Sequence, residues 1–488
     1  MARVMLIKPA YETDAVWDTI RTSHPLGLWW IGSALREEGH EVRILDETVR
    51  KGGYHKRKLL MRHVRGKDIC DEPLDTSFEA FDQQRLHDFY TLTPEEFVRR
   101  YSAYQREGST RVIVRTGNPL EETLEEVTKF NPHYLGIPVF ASVNYPSALA
   151  LAFAVKSSQP SVNIVLGGQH VSALPEDAAQ QPFVDHVITG DAIHAFKALV
   201  RTRKGQKIIV GGIQDISSFP LLDMSLMEEN TYPAEPSHSY ATGRRQYVDH
   251  MFSKGCFRDC EFCVAGEREH VISRFAFKKI EAQLERFRSA GIEEIIVQDD
   301  AFLFKPNKNL REYLALMKNQ GLYWQDNGGI EFEGLTDEVI EMLMHYQTTG
   351  AGRINALYVP LNPRTGHAHE SVIKSLRERF AHNFPHIKRL RESGIYTYTS
   401  EIIGYPGKTT ALMWKDIYLH QVLVKEGYVA QALTFVTSTL PGTKLYREHA
   451  GHIVEPQDWA AYSNFVPQST TEDIPSIHDI ERLTINSC

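Results

Sequence analysis

The sequence predicts an α/β protein with two parallel-sheet units in series: an N-terminal doubly wound sheet, then a partial (β/α) barrel of the TIM type with a small C-terminal cap. Three observations predict it. Short apolar runs alternate with helical-period segments from Val4 to about Thr202. A second alternation runs from Gln246 to Ser438. Between them, residues 205–245 hold glycines, prolines and scattered polar residues, including Phe219-Pro220-Leu221-Leu222-Asp223, which read as a connection between domains. The expected units are 1–204, with an insertion at about 50–125, then the linker 205–245, the barrel 246–433 and the cap 434–488.

The first unit opens with a strand from Val4 to Lys8. Its apolar part is too short for a signal peptide. Pro25-Leu26-Gly27-Leu28 starts a helix with Leu28, Ile31 and Leu35 on one face, and Gly39 stops it. Glu41 to Leu45 is the next strand, ending at Asp46, which completes a βαβ unit. The alternation then breaks. Residues from about 50 to 125 are polar and rich in His, Arg and Tyr, with a short helix expected around Pro94 to Tyr104. An insertion of this length reads as a lid or a substrate-facing element. Strands follow at Tyr134–Val139, Asn163–Leu166 and His186–Thr189, with helices from Pro146 to Ser157 and from Asp191 to about Thr202. Ligands of such a sheet sit at the carboxyl ends of its strands. A Gly-x-Gly-x-x-Gly after the first strand is absent, which excludes the nicotinamide reading.

In the second unit, Gln246 to Phe252 is a strand. Ile280, Leu284 and Phe287 mark a helix stopped near Gly291. Glu294 to Val297 is a strand ending in Gln298, Asp299 and Asp300. Leu310, Leu314 and Met317 mark a helix stopped near Gly321, and Thr336 caps another. Ile354 to Leu361 is a strand, a helix ends near Gly394, and Tyr396 to Ile403 is the next strand. Gly404-Tyr405-Pro406-Gly407 turns into a helix ending near Gly427, before a strand from Val429 to Ser438. Gly407-Lys408-Thr409 hints at a phosphate loop, but its first glycine position holds Ile402. Leu440-Pro441-Gly442-Thr443 opens an irregular, polar tail.

The chemistry lies after the first barrel strand, in Lys254-Gly255-Cys256-Phe257-Arg258-Asp259-Cys260-Glu261-Phe262-Cys263. Three of the chain's five cysteines are here, spaced Cys-x-x-x-Cys-x-x-Cys. Closely spaced thiolates wrap an iron–sulfur cluster, and three of them leave one iron of a four-iron, four-sulfur cluster open. Structural zinc wants four protein ligands, and no second Cys-x-x-Cys occurs. A disulfide framework fails on the odd number and the short spacing. Cys70 and Cys488 read as free thiols. This cysteine usage suits a reducing cytoplasm. The net charge of −8, without a long basic run, argues against a nucleic-acid partner, and no apolar run is long enough to span a bilayer.

The spacing, with Phe262 directly before the third cysteine, resembles the radical S-adenosylmethionine superfamily. The resemblance implies that Cys256, Cys260 and Cys263 ligate the cluster, that S-adenosylmethionine chelates the open iron, and that Phe262 lies near its adenine. It also implies that Gln298, Asp299 or Asp300 meets the methionyl amine, and that Gly404 and Pro406 back the adenine. Relatives carry Glu-Ser-Gly after the fourth strand where this chain reads Val359-Pro360-Leu361-Asn362, so Asn362 is only a candidate contact.

The first unit resembles the Rossmann-like cobalamin-binding domain that precedes many such barrels. The matching residues are Leu26 and Gly27, Ser142, Gly167-Gly168-Gln169-His170-Val171-Ser172, and Gly190-Asp191. Glycines after strands let a macrocycle approach the backbone. The Asp-x-His-x-x-Gly motif is absent, so the resemblance implies base-off cobalamin, with His170 near the site but not on the cobalt.

Together these likenesses imply a cobalamin-dependent radical S-adenosylmethionine enzyme. The commonest activity there is methylation of an unactivated carbon, sometimes phosphorus, of a small molecule, by way of a 5′-deoxyadenosyl radical and methylcobalamin. A flavodoxin- or ferredoxin-type donor would supply electrons. The alternative is a non-methylating ring contraction, cyclisation or oxidation. A methylthiotransferase would need a second cysteine trio upstream, where only Cys70 lies, and a bare cobalamin carrier would not need the trio at all. Glu331, Glu333 and Glu401, with Tyr358 and Tyr398, lie near expected strand ends. They read either as substrate contacts or as salt-bridged barrel residues.

Overall fold

The computed structural model describes residues 1–14, 23–64, 67–69, 110–212, 215–233, 243, 245–267, 272–303, 309–330, 334–360, 381, 383–454, 456–459, 462–463, 468–471 and 480. The first unit contains β1 (Arg3–Lys8), β2 (Tyr11–Asp14), β3 (Glu41–Asp46), β4 (Arg57–Val64), β5 (Lys67–Ile69), β6 (Thr110–Thr116), β7 (Tyr134–Pro138), β8 (Asn163–Gly167), β9 (His186–Thr189) and β10 (Ile208–Val210). Six of these form a parallel sheet in the order β10-β9-β8-β7-β1-β3. The chain moves outward from β1 in both directions, so the order reverses between β1 and β7. That reversal opens a crevice at the carboxyl ends of those strands.

Helices cover both faces of this sheet. Leu26–Glu37 and Ile193–Thr202 bury Trp29, Trp30, Leu35 and Phe196 on one face. Leu120–Phe130 and Tyr145–Ser158 bury Val127, Leu151 and Val155 on the other. The helix Leu120–Phe130 therefore begins inside the stretch expected as an insertion. Asn131 ends it with a left-handed φ of 49°, a conformation asparagine tolerates. The expected helix around Pro94 to Tyr104 lies outside the described residues. What the sequence did not announce is a second sheet. Strands β2, β6, β4 and β5 pair antiparallel in that order.

The linker is more than a tether. Its first residues supply β10, a sixth strand where five were expected. Further on, Ile216, Phe219, Leu222 and Leu226 are buried in a core cluster that runs unbroken from Leu28 and Phe196 to Val248, Phe252 and Leu284 of the barrel. The two units therefore share apolar packing.

The barrel has strands β11 (Tyr247–His250), β14 (Glu294–Val297), β15 (Tyr323–Asp326), β16 (Ile354–Tyr358), β17 (Tyr396–Ile403) and β18 (Gln431–Val436). They are hydrogen-bonded in sequence order and all parallel. The short hairpin strands β12 (Ser253–Lys254) and β13 (Ser273–Arg274) flank the cysteine loop. Strand β15 was not expected. The expected cap at Thr336 is present: its hydroxyl accepts from the Val339 N–H at 3.4 Å. Among the described residues no helix is long and apolar enough to cross a membrane.

Candidate active site at the facing strand ends

The cysteine loop follows β11 and opens at the carboxyl end of the barrel strands, where barrel active sites lie. Cys256 is buried, while Cys260 and Cys263 are half-buried. The Cys263 N–H donates to the Cys260 carbonyl at 3.0 Å, which closes the turn between them. Burial pushes the Cys256 thiol up and the Cys260 thiol up to about 11, with the neighbouring cysteines adding to both shifts. Thiols crowded in this way become thiolates only against a metal charge. No three His, Cys, Asp or Glu side chains among the described residues converge on a point for a single metal ion.

The end of β14 ties down this loop. Asp299 is fully buried: its Oδ1 accepts from the Phe252 N–H at 2.8 Å, and its Oδ2 from the Ser253 N–H at 2.7 Å and the Ser253 hydroxyl at 2.6 Å. Burial raises its carboxyl to about 7, against three donated hydrogen bonds that favour the anion. Asp300 Oδ2 accepts from the Gly255 N–H at 2.9 Å, and Gly255 holds a φ of 107° that favours glycine. Gln298 donates to Asp249 of β11. All three residues expected at the methionyl amine thus also brace the strand or loop that carries the cysteines. Removing the Asp299 carboxylate in Asp299→Ala leaves two buried N–H groups and a hydroxyl unpaired, at about 1–3 kcal/mol each. We expect that variant to melt several degrees lower and to incorporate less iron. Asp299→Asn, which keeps an acceptor oxygen, should fall between. Lost S-adenosylmethionine binding with melting temperature and iron unchanged would contradict this bracing role.

The opposite side of the loop is held by the turn after β17 and by the chain beyond β18. The Tyr405 hydroxyl donates to Glu261 Oε2 at 2.9 Å, and Lys444 donates to Glu261 Oε1 at 2.7 Å. Tyr405 also meets the Phe262 ring edge-on, with centroids 6.2 Å apart. Gly404 takes a φ of 72°, its N–H donating to Met413 Sδ at 2.9 Å, and Pro406 is half-buried beside it.

Tyr358 and Tyr398 stack with centroids 5.1 Å apart, Tyr358 hydrogen-bonding Ser400 and Tyr398 donating to Asn327 Oδ1 at 3.3 Å. Glu401, the next residue along β17, points to the other face. It is buried 3.7 Å from His420 and accepts from the Thr434 hydroxyl at 3.2 Å, beside the Lys408–Asp416 ion pair. Burial pushes the Glu401 carboxyl well above its usual range and lowers the His420 imidazole, so the two meet as neutral groups and make no ion pair. The Lys408 of the rejected phosphate loop is spent in its ion pair with Asp416. Asn362, Glu331, Glu333, Cys70 and Cys488 lie outside the described residues.

In the first unit Ser142, the run Gly167 to Ser172 and the Gly190-Asp191 turn lie at the carboxyl ends of β7, β8 and β9, while Leu26 and Gly27 lie on a separate helix. Gly168 has φ 110° and ψ −178°, and a Cβ there would lie 2.6 Å from the Val139 carbonyl oxygen. At Gly167 a Cβ would meet nothing closer than 3.7 Å. The Ser172 hydroxyl donates to the Gly168 carbonyl at 2.7 Å and accepts from the Gly190 N–H at 2.9 Å, so it binds two glycine turns together. His170 Nδ1 lies 2.9 Å from Ser142 Oγ, and burial lowers the imidazole to about 4, which keeps it neutral. Gln169 is half-buried beside it. Leu26 is half-buried at the start of its helix, while Gly27 is exposed. Gly168 and Gly190 pack directly on the Val139 and Gly212 backbone, while Gly167 leaves open space, so the end of β8 is a cradle at which a bulky ligand could approach the backbone.

Two contacts that the sequence did not reveal join the halves. Lys254, two residues before Cys256, is ion-paired with Asp191 of the Gly190-Asp191 turn. Asp249 Oδ2 accepts from both the backbone N–H and the ring Nδ1 of His24, each at 2.8 Å. Each pair spans long sequence separations, and no local pattern signals it. The cradle and the cysteine loop thus face one another.

Residues 102–200 match the family model of the B12 binding domain. No curated protein matches the chain in sequence. Among solved structures, the chain resembles the radical S-adenosylmethionine methyltransferase TsrM from Kitasatospora setae, solved with its tryptophan substrate and an S-adenosylmethionine analogue. The TM-score is 0.53 at 14% identity, over 92% of this chain and 76% of that one. TsrM solved with cobalamin and its iron–sulfur cluster gives 0.51. The cobalamin-dependent S-adenosylmethionine radical enzyme OxsB with aqua-cobalamin gives 0.54 at 12% identity, over 96% of this chain and 65% of that one. The chain has the two-domain fold of the cobalamin-dependent radical S-adenosylmethionine enzymes. Its first half carries a B12-binding domain, and its barrel opens on the cysteine trio.

Proposed function

We propose that this chain is a cobalamin-dependent radical S-adenosylmethionine methyltransferase acting on an unactivated carbon or phosphorus of a small molecule. The observation that carries the reading is the Lys254–Asp191 ion pair, which sets the cysteine loop against the glycine turns of the B12-binding domain. A radical methyl transfer needs both cofactors within reach of one substrate, and this contact supports the reading that they lie so. The cluster with S-adenosylmethionine supplies the radical, and the corrinoid supplies the methyl group.

The chain's own residues hold and enclose this chemistry. Cys256, Cys260 and Cys263 would ligate three irons. Asp300, bonded through one oxygen to Gly255, keeps a second oxygen for the methionyl ammonium. Phe262 with Tyr405, Gly404 and Pro406 would line the adenine side. Gly167, Gly168, Ser142, Ser172 and Gly190 would meet the corrinoid's amide rim and tail, with no protein imidazole on the cobalt. Tyr358 and Tyr398 would meet the substrate. Electrons would come from a flavodoxin- or ferredoxin-type donor, in a cytoplasmic setting.

The test uses anaerobically reconstituted protein with hydroxocobalamin, reductant and S-adenosylmethionine. Both 5′-deoxyadenosine and S-adenosylhomocysteine are expected. Formation of 5′-deoxyadenosine without S-adenosylhomocysteine would replace methylation with a ring contraction, cyclisation or oxidation.

A further inference from the structure

The first unit reaches the barrel strands through His24. This residue lies just ahead of the helix Leu26–Glu37 and meets Asp249 of β11, 225 residues further along the chain. Its backbone N–H and its ring Nδ1 both lie 2.8 Å from Asp249 Oδ2. A carboxylate oxygen only accepts, so the proton between ring and carboxylate sits on Nδ1. The pair is buried, with the two side chains 6% and 2% exposed. His24 is also fixed from its own side. Tyr232 stacks on the imidazole with centroids 3.8 Å apart, and its hydroxyl donates to Oδ2 of the buried Asp46 at 2.8 Å. Lys8 donates to the same oxygen at 3.0 Å and to the Ser23 carbonyl at 2.9 Å, which holds the residue before His24.

The second oxygen of Asp249 serves the active site. Its Oδ1 accepts from Gln298 Nε2. Asp249 pairs with Ile296 across the β11–β14 ladder, so Gln298, two residues on, shares its face. Gln298 is half-buried directly before Asp299 and Asp300, and its N–H donates to the His250 carbonyl at 2.9 Å. A side-chain amide has a donor end and an acceptor end, and a carboxylate can take only the donor end. Asp249 therefore decides which way round the Gln298 amide sits. Nε2 goes to the strand, and Oε1 is presented on the other side. An acceptor is what an ammonium group needs. Reversed, the amide would set its NH2 against a cation.

Resting on the function proposed above, we propose that His24 is a positioning residue for S-adenosylmethionine, holding Gln298 through Asp249 with its acceptor oxygen toward the methionyl ammonium. The first unit then completes a strand end of the barrel. Binding of S-adenosylmethionine depends on how the two units dock, and not on the barrel alone.

5′-Methylthioadenosine keeps the adenosine of S-adenosylmethionine and lacks the amino-acid end, so it is the control for general damage to the site. Binding of both compounds to the anaerobically reconstituted full chain is measured by equilibrium dialysis. The variants are His24→Ala, His24→Asn, Gln298→Ala and the double variant His24→Ala/Gln298→Ala. His24→Ala should weaken S-adenosylmethionine by about tenfold and leave methylthioadenosine within about twofold. His24→Asn, which keeps a side-chain N–H near the Nδ1 position, should recover most of the loss. Gln298→Ala should lose as much as His24→Ala, and the double variant no more than either, because the effect runs through one amide. Iron content checks the cluster in each preparation. Unchanged affinity in His24→Ala, equal loss of both compounds, no recovery in His24→Asn, or additive losses in the double variant each overturn the inference and leave the proposed function standing. An unaltered chain that binds no S-adenosylmethionine removes the two together.

Discussion

Replacing Cys256, Cys260 and Cys263 together by alanine is expected to leave the protein without iron, without the broad visible absorption of a cluster, and without 5′-deoxyadenosine after reduction with S-adenosylmethionine. The loss should be complete rather than partial. Each thiolate holds a different iron, and no other described cysteine is present to replace one. The loop itself should survive. Its anchors are the Asp299 and Asp300 hydrogen bonds to Phe252, Ser253 and Gly255 and the Glu261 contacts to Tyr405 and Lys444, none of which uses a thiol. Burial holds Cys256 and Cys260 above the usual thiol range, so truncation removes no buried charge from the metal-free protein. Iron content, absorption and melting temperature measured on one preparation separate the outcomes. A triple variant that keeps its iron would show that the cluster lies elsewhere.

Patterns local in sequence were legible, and patterns that depend on distant partners were not. The strand from Tyr396 to Ile403 matches its expected bounds because β-branched and aromatic residues run between two glycines. The cysteine trio is legible because all its ligands lie on one loop. Strand β15 escaped because Tyr323-Trp324-Gln325-Asp326 is half polar, and its Gln325 and Asp326 are buried only by the strands on either side. Strand β10 has three residues, too few for any period to show. The antiparallel sheet joins β2 to strands from about 40 to 100 residues further on, a pairing that no window of sequence contains. In the site, Asp299 was legible as a strand-end carboxylate. Its partners are backbone N–H groups, which leave no mark in the sequence. Lys254 with Asp191, His24 with Asp249, and Trp459 with His170 share that difficulty: each is an ordinary residue until the fold brings its partner across.

Gly168→Ala is expected to abolish corrinoid binding while the cluster remains, and Gly167→Ala shows why the loss is informative. At Gly168 the backbone sits at φ 110° and ψ −178°, a region open essentially to glycine alone. Any side chain there costs about 1–3 kcal/mol in backbone strain, before contacts are counted. The added Cβ would also stand 2.6 Å from the Val139 carbonyl oxygen, closer than real contacts allow. The turn must therefore shift. With it would move the Gly168 carbonyl that holds Ser172, and through Ser172 the Gly190 turn. Gly167, Ser172 and the Gly190 turn, all assigned to the corrinoid rim, are coupled to this one residue, so a loss of a hundredfold or more in affinity is expected. Gly167 differs. A methyl group there meets nothing within 3.7 Å, so the fold should accept alanine. Any affinity lost in Gly167→Ala then reports a ligand that approaches the backbone, and not a distorted loop. Titration of both variants with hydroxocobalamin, alongside iron content, makes the comparison. If Gly168→Ala binds as the unaltered chain does, the cradle after β8 is not the corrinoid site. If Gly167→Ala alone is unaffected, the macrocycle rests on the turn without touching that Cα.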